Sequence, residues 1–142
     1  MAEESKTIKQ IEYLTIFGAT ILLFALGFMA IPLMYEIENP REEDYIVKVT
    51  AEQWAWKFEY PNGEITSELN IKSGETVKLE MESVDVIHAF YVRDLHIKFD
   101  IIPGRVKEIW ITPETPGEYW IQCAEFCGAF HGAMRTKMIV VE

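Results

Sequence analysis

From Tyr13 to Tyr35 the chain carries no charged side chain for 23 residues. As a helix at about 1.5 Å per residue, that run is roughly 34 Å long, enough to cross a hydrocarbon core. Tyr13 and Tyr35 close its two ends, where amphipathic rings favour the interface. Gly18, Gly27 and Pro32 are tolerated in such a span. A cleaved signal peptide has a shorter apolar region and a small-x-small site after it, which Ile31-Pro32-Leu33-Met34-Tyr35 does not offer. A buried core helix shows a polar stripe, and this run has none. The expectation is a membrane helix over 13–35, preceded by a charged tail over 1–12. Lys6 and Lys9 precede it, whereas acidic residues and a single Arg41 follow. That bias puts the N-terminus inside and the rest of the chain on the outer face.

Residues 36–44 form an acidic linker with a helix stop at Asn39-Pro40. From Tyr45 the texture becomes strands and turns. Trp54, Trp56, Phe58 and Tyr60 recur with period two, and Val77, Leu79 and Met81 alternate with charged residues. Pro61-Asn62-Gly63 predicts a hairpin leading to Glu64–Ile71, and Lys72-Ser73-Gly74 a further turn. Further strands are expected at Tyr45–Thr50, Val86–Tyr91, Val106–Thr112, Glu118–Cys123 and Lys137–Val141. About eight short strands with regular turns predict two sheets or a closed barrel with Greek-key links. The chain has 142 residues and a net charge of -10. This acidic balance excludes nucleic acid as a partner. It suits a basic partner protein, or serves only as a solvated surface.

One stretch carries the chemistry. Cys123, Cys127, His131 and Met134 fall in the pattern C-x3-C-x3-H-x2-M. Thiolate and imidazole ligands together favour copper or zinc, and a thioether points to copper. The alternative for two cysteines is one disulfide. Gly128 and Gly132 leave room for a tight loop whose backbone approaches the metal. A single loop rarely surrounds a metal, and His88, in the apolar run Val86–Phe90, is the candidate from elsewhere. A mononuclear blue-copper site uses two histidines, one thiolate and a distant thioether, so this loop has one thiolate too many. Two thiolates bridging two coppers use both cysteines. Such a centre shares one electron between two ions and relays it.

Four motifs in order, Asp85-Val86-Ile87-His88-Ala89-Phe90, Ile102-Pro103-Gly104-Arg105, Pro116-Gly117-Glu118-Tyr119 and the cysteine loop, resemble subunit II of the haem-copper cytochrome c oxidases. The aromatic run from Gln53 to Pro61 is similar to that family's too. The resemblance covers the chain from about Tyr45 to its end. It implies a mainly β, cupredoxin-like Greek-key barrel or sandwich over 45–142, behind one N-terminal transmembrane helix. It implies the dinuclear copper centre called CuA, with Cys123 and Cys127 bridging both ions. His88 and His131 each bind one ion. Met134 is a weak ligand to one, and the backbone carbonyl of Glu125 to the other. Most of the family has two N-terminal spans; the single span here is similar to the B-type oxidases.

By the same resemblance, Trp54 is the exposed tryptophan that accepts electrons near CuA. The Glu125 side chain reaches a magnesium at the border with subunit I in many members. Phe126 and Phe130 are expected to pack over the site and keep water out. Lys98, Asp100 and Arg105 match positions facing subunit I, or are ordinary surface charge. His96 is a surface histidine. The function implied is an electron relay from cytochrome c to haem in subunit I, which reduces dioxygen. The copper domain then lies on the periplasmic face of the inner membrane. The chain itself performs no oxygen chemistry. A freestanding membrane-anchored copper carrier or copper-delivery protein is the alternative.

Overall fold

A computed structural model describes residues 2–38 and 42–142. Helix α1 (Ala2–Glu38) comes first. Every side chain described on it, from Lys6 to Glu36, is exposed within the chain. These include Leu14, Phe17, Leu23, Phe24 and Phe28. An apolar surface that the protein does not cover suits lipid, and the helix is long and apolar enough to cross a membrane. The Thr15 hydroxyl donates to the Ile11 carbonyl one turn back (2.8 Å), so it needs no water. The helix extends beyond the uncharged run at both ends. Residues 2–12, expected as a tail, are helical, since they contain no glycine or proline to break the period. The expected stop at Asn39-Pro40 lies outside the described residues, as does Arg41.

Residues 42–142 make a β-sandwich. Its strands, among the described residues, are β1 (Tyr45–Glu52), β2 (Ala55–Glu59), β3 (Ile65–Thr66), β4 (Leu69–Lys72) and β5 (Val77–Ser83), followed by β6 (His88–Val92), β7 (Ile97–Ile101), β8 (Lys107–Ile111), β9 (Gly117–Cys123) and β10 (Arg135–Val141). One sheet runs β3-β2-β1-β5-β8 and the other β4-β10-β9-β6-β7. Pairing is antiparallel except for β1 with β5 and β4 with β10. The chain passes between the sheets after β3, β4, β5, β7 and β8, which makes the links long-range. This is the mainly β, cupredoxin-like sandwich expected.

The alternation read in the sequence becomes the core. Val47, Val49 and Ala51 on β1, Val77, Leu79 and Met81 on β5, and Phe90 and Val92 on β6 are fully buried. Phe58, Leu69, Ile101, Ile121 and Met138 join them from the other strands. On the outer surface Lys78 lies between Glu80 and Glu108, both at 2.9 Å, and over the Trp110 ring.

Three strand expectations need correction. Glu64–Ile71 is two strands in different sheets: β3 pairs with β2, while β4 pairs with β10. The break is fixed from afar, where the Thr136 hydroxyl donates to the Ser67 carbonyl (2.5 Å). Strand β6 begins at His88 and not at Val86. Asp85 turns the chain there: its Oδ1 accepts the Val86 N–H (2.6 Å), and the Ser83 hydroxyl donates to the Val86 carbonyl (2.5 Å). Strand β7 was absent from the sequence reading, although Ile97, Phe99 and Ile101 alternate with the outward pair Lys98 and Asp100.

Candidate metal centre

Adjacent strands of the second sheet bring the donors together. Phe90 on β6 is registered with Cys123 on β9, so His88 at the start of β6 lies close to the end of β9. The Cys123 N–H donates to the Met134 carbonyl (3.0 Å), closing the loop between β9 and β10. Within that loop Met134 follows a 3-10 turn over His131–Ala133. His88, Cys127 and Met134 are at most 2% exposed and Cys123 is 8% exposed; His131 is half-buried.

The distances show one cluster. Cys123 Sγ is 3.6 Å from Cys127 Sγ, and both cysteines are free thiols. Cys123 Sγ lies 3.8 Å from His88 Nδ1 and 3.2 Å from the Glu125 carbonyl, to which the thiol donates. Cys127 Sγ lies 3.5 Å from His131 Nδ1 and 3.7 Å from Met134 Sδ. The ligand atoms of His88, Cys123 and Cys127 all lie within 4.8 Å of one another. All six expected donors therefore converge, with the two sulfurs in the middle and a histidine on each side. The Glu125 side chain is exposed.

Burial, then the neighbouring Cys123, pushes the Cys127 thiol above its ordinary range. The Cys127 thiol stays protonated unless a cation sits beside it. Two thiolates, two imidazoles, a thioether and a carbonyl make a soft donor set that fits copper.

Two of the donors have support behind them. His88 Nε2 meets Asp85 Oδ1 at 2.8 Å, so an N–H there donates to the carboxylate and leaves Nδ1 bare toward Cys123. Burial raises the Asp85 carboxyl, but hydrogen bonds from His88, the Val86 N–H and the Gln53 N–H outweigh it and hold it below the ordinary value. The Cys127 carbonyl accepts two donors, Gln53 Nε2–H (2.8 Å) and Trp54 Nε1–H (3.2 Å). Gly128, at φ +116°, passes directly beneath them: a Cβ there would lie 2.9 Å from Gln53 Nε2 and 3.3 Å from Trp54 Cζ2. Its freedom is thus spent on Gln53 and Trp54, whereas a Cβ on Gly132 would meet nothing within 4 Å. Asp85 and Gln53 carried no role in the sequence reading. Aspartate three residues before the histidine was a usable signal; Gln53, remote in sequence from Cys127, was not.

The aromatic expectations divide. Trp54 is half-buried and packs edge-on against Phe130 (4.7 Å). Phe126 contacts His131 (5.9 Å). Yet Phe126 is 79% and Phe130 61% exposed, so in this chain they form an apolar rim and not a seal. The buried aromatic beside the site is Trp56, which meets His88 at 6.4 Å and Phe90 at 5.8 Å. Lys98 and Asp100 pair with each other at 2.8 Å, and Arg105 is exposed. His96 is exposed, away from the cluster, and closes a 3-10 turn in the left-handed conformation (φ 55°).

A family model of the cytochrome c oxidase subunit II periplasmic domain matches residues 63–142. The chain is 40% identical over 111 residues to cytochrome c oxidase subunit 2 of Synechocystis sp., covering 78% of this chain and 33% of that relative. It thus spans about a third of the length of that curated relative. The solved periplasmic domain of subunit II of cytochrome oxidase from Bradyrhizobium japonicum superposes with TM-score 0.67 and 30% identity, covering 72% of this chain and 87% of that one. A chain of a heme-copper terminal oxidase dimer matches with TM-score 0.62 and 28% identity, covering 87% and 96%. A family match over residues 63–142 and solved relatives of the same shape lead to one assignment: the chain belongs to the cytochrome c oxidase subunit II family.

Proposed function

We propose that the chain is the membrane-anchored electron-relay subunit of a haem-copper oxidase, taking electrons from cytochrome c and delivering them to haem in subunit I. The observation that carries this is the convergence of six donors, two of them the free cysteine sulfurs at the centre. Cys123 and Cys127 would bridge two coppers, His88 and His131 would hold one each, and Met134 and the Glu125 carbonyl would be weak ligands. When bound, a dinuclear CuA centre supplies a one-electron acceptor and donor whose charge is shared by two ions. The protein's share is positioning. Buried donors on paired strands keep their spacing, Asp85 fixes the His88 tautomer, and the sandwich excludes water from the sulfurs.

Trp54 supplies the surface end of the route. Its indole N–H bonds to the Cys127 carbonyl, and its ring lies against Phe130 at the apolar rim, where a donor protein reaches it. The exposed apolar helix and the periplasmic-domain family support a membrane-anchored protein. The proposed topology has the N-terminus inside and the copper domain on the periplasmic face of the inner membrane. Glu125, with its side chain free, is proposed to reach a magnesium at the subunit I border.

Metal analysis and electron paramagnetic resonance of the full chain in detergent test the centre. Two coppers per chain, with hyperfine splitting from two equivalent nuclei, are expected. One copper with a mononuclear spectrum would refute it. Co-purification of a haem-bearing large subunit from the native membrane separates an oxidase subunit from a freestanding carrier.

A further inference from the structure

Gln53 touches both halves of the ligand set at once. Its backbone N–H donates to Asp85 Oδ2 (2.6 Å), and Asp85 Oδ1 holds His88. Its side-chain amide donates to the Cys127 carbonyl (2.8 Å). His88 and Cys127 come from different segments, and their own backbones do not pair. The tip of the β1–β2 hairpin lies between them, and Gln53 connects them through two hydrogen bonds. The absence of a side chain at Gly128 is what lets the amide approach.

We propose that Gln53 is a positioning residue of the metal centre that fixes the separation of the His88 and Cys127 ligands and tunes its reduction potential. The inference rests on copper binding at this cluster. Tuning follows from the direction of the bond. The amide and Trp54 both place the positive ends of N–H dipoles beside Cys127, which favours the electron-rich, reduced state. Gln53→Leu removes one of these donors. It leaves the Trp54 bond and the backbone bond to Asp85 in place, so the loop stays anchored.

The test uses the full-length chain, loaded with copper in detergent, as wild type, Gln53→Leu and Gln53→Glu. The expected result is wild-type copper content with the reduced-to-oxidised ratio at fixed potential lowered about tenfold in Gln53→Leu, a shift of about 59 mV for a one-electron couple. Gln53→Glu, of equal reach but without the donor, shifts the same way and further, because it adds negative charge. The visible absorption of the centre moves with the potential. Loss of copper from a variant whose circular dichroism matches wild type also supports the tie. Unchanged potential and absorption in both variants overturn the proposal, even if the unfolding midpoint falls. A wild-type chain that takes up no copper overturns the functional reading and this inference together, which distinguishes the two failures.

Discussion

Replacing Gly128 with alanine adds a single methyl group, and the structure says where it goes. The residue sits at φ +116°, a conformation that costs a side-chain-bearing residue about 1–3 kcal/mol. The new Cβ also arrives 2.9 Å from Gln53 Nε2 and 3.3–3.4 Å from the Trp54 ring. Gln53 can swing aside, but then its bond to the Cys127 carbonyl is lost, worth about 1 kcal/mol. Trp54 has less freedom, since Phe130 backs it at 4.7 Å. The sum is about 2–4 kcal/mol. For a sandwich of this size each kcal/mol moves the melting temperature by about 4–8 °C, so a fall of roughly 8–32 °C is expected. Thermal unfolding of the metal-free chain, followed by tryptophan fluorescence, measures it. Gly132→Ala is the control: its φ is not positive and its Cβ meets nothing, so it stays within about 0.5 kcal/mol. If Gly128→Ala melts within a few degrees of the control, the close approach described above is wrong.

Asp85→Ala frees the His88 ring to turn, and copper retention against a competing chelator falls about 10- to 100-fold. Trp54→Phe keeps a ring against Phe130 but removes the N–H to Cys127. Copper content stays at wild type while electron uptake from reduced cytochrome c slows about tenfold or more, read by stopped-flow absorption. The Tyr45 hydroxyl is pushed up to about 12 from 10.0, first by burial and then by the Glu75 carboxylate. The folded value lies above the unfolded one, so the stability tied to the neutral phenol is whole below pH 10 and is lost as pH rises toward 12. Tyr45→Phe cannot ionise, and its denaturation midpoint declines less steeply than wild type over that interval.

The candidate donors were legible because so many soft side chains at such short spacing have few other uses. Cys123, Cys127, His131 and Met134 announce themselves within one loop, and His88 stands out as the polar member of an apolar run. What stands behind the donors was not legible, because it depends on distant contacts. Whether Asp85 meets His88 is decided by the turn between β5 and β6, and Gln53 is 74 residues from the carbonyl it holds. The strands show the same division. Alternation gives β1, β5 and β9, and it also marks β7, whose Ile97, Phe99 and Ile101 share the inward face. The split between β3 and β4 has no local sign, since β10 captures one part and β2 the other. Phe126 and Phe130 were expected over the site because they flank its ligands, but a flanking position fixes no direction for a side chain.

His88, which opens β6, and the cysteines at and beyond the end of β9 come together only after strands far apart in the sequence have zipped together. During synthesis, therefore, no binding cup exists until β9 and the loop that follows it have emerged. Sandwiches with such distant pairings assemble slowly. Metal uptake is then a late event, and whatever supplies the ions meets a folded domain in which His131 is the half-exposed histidine of the candidate set, and not a growing thread.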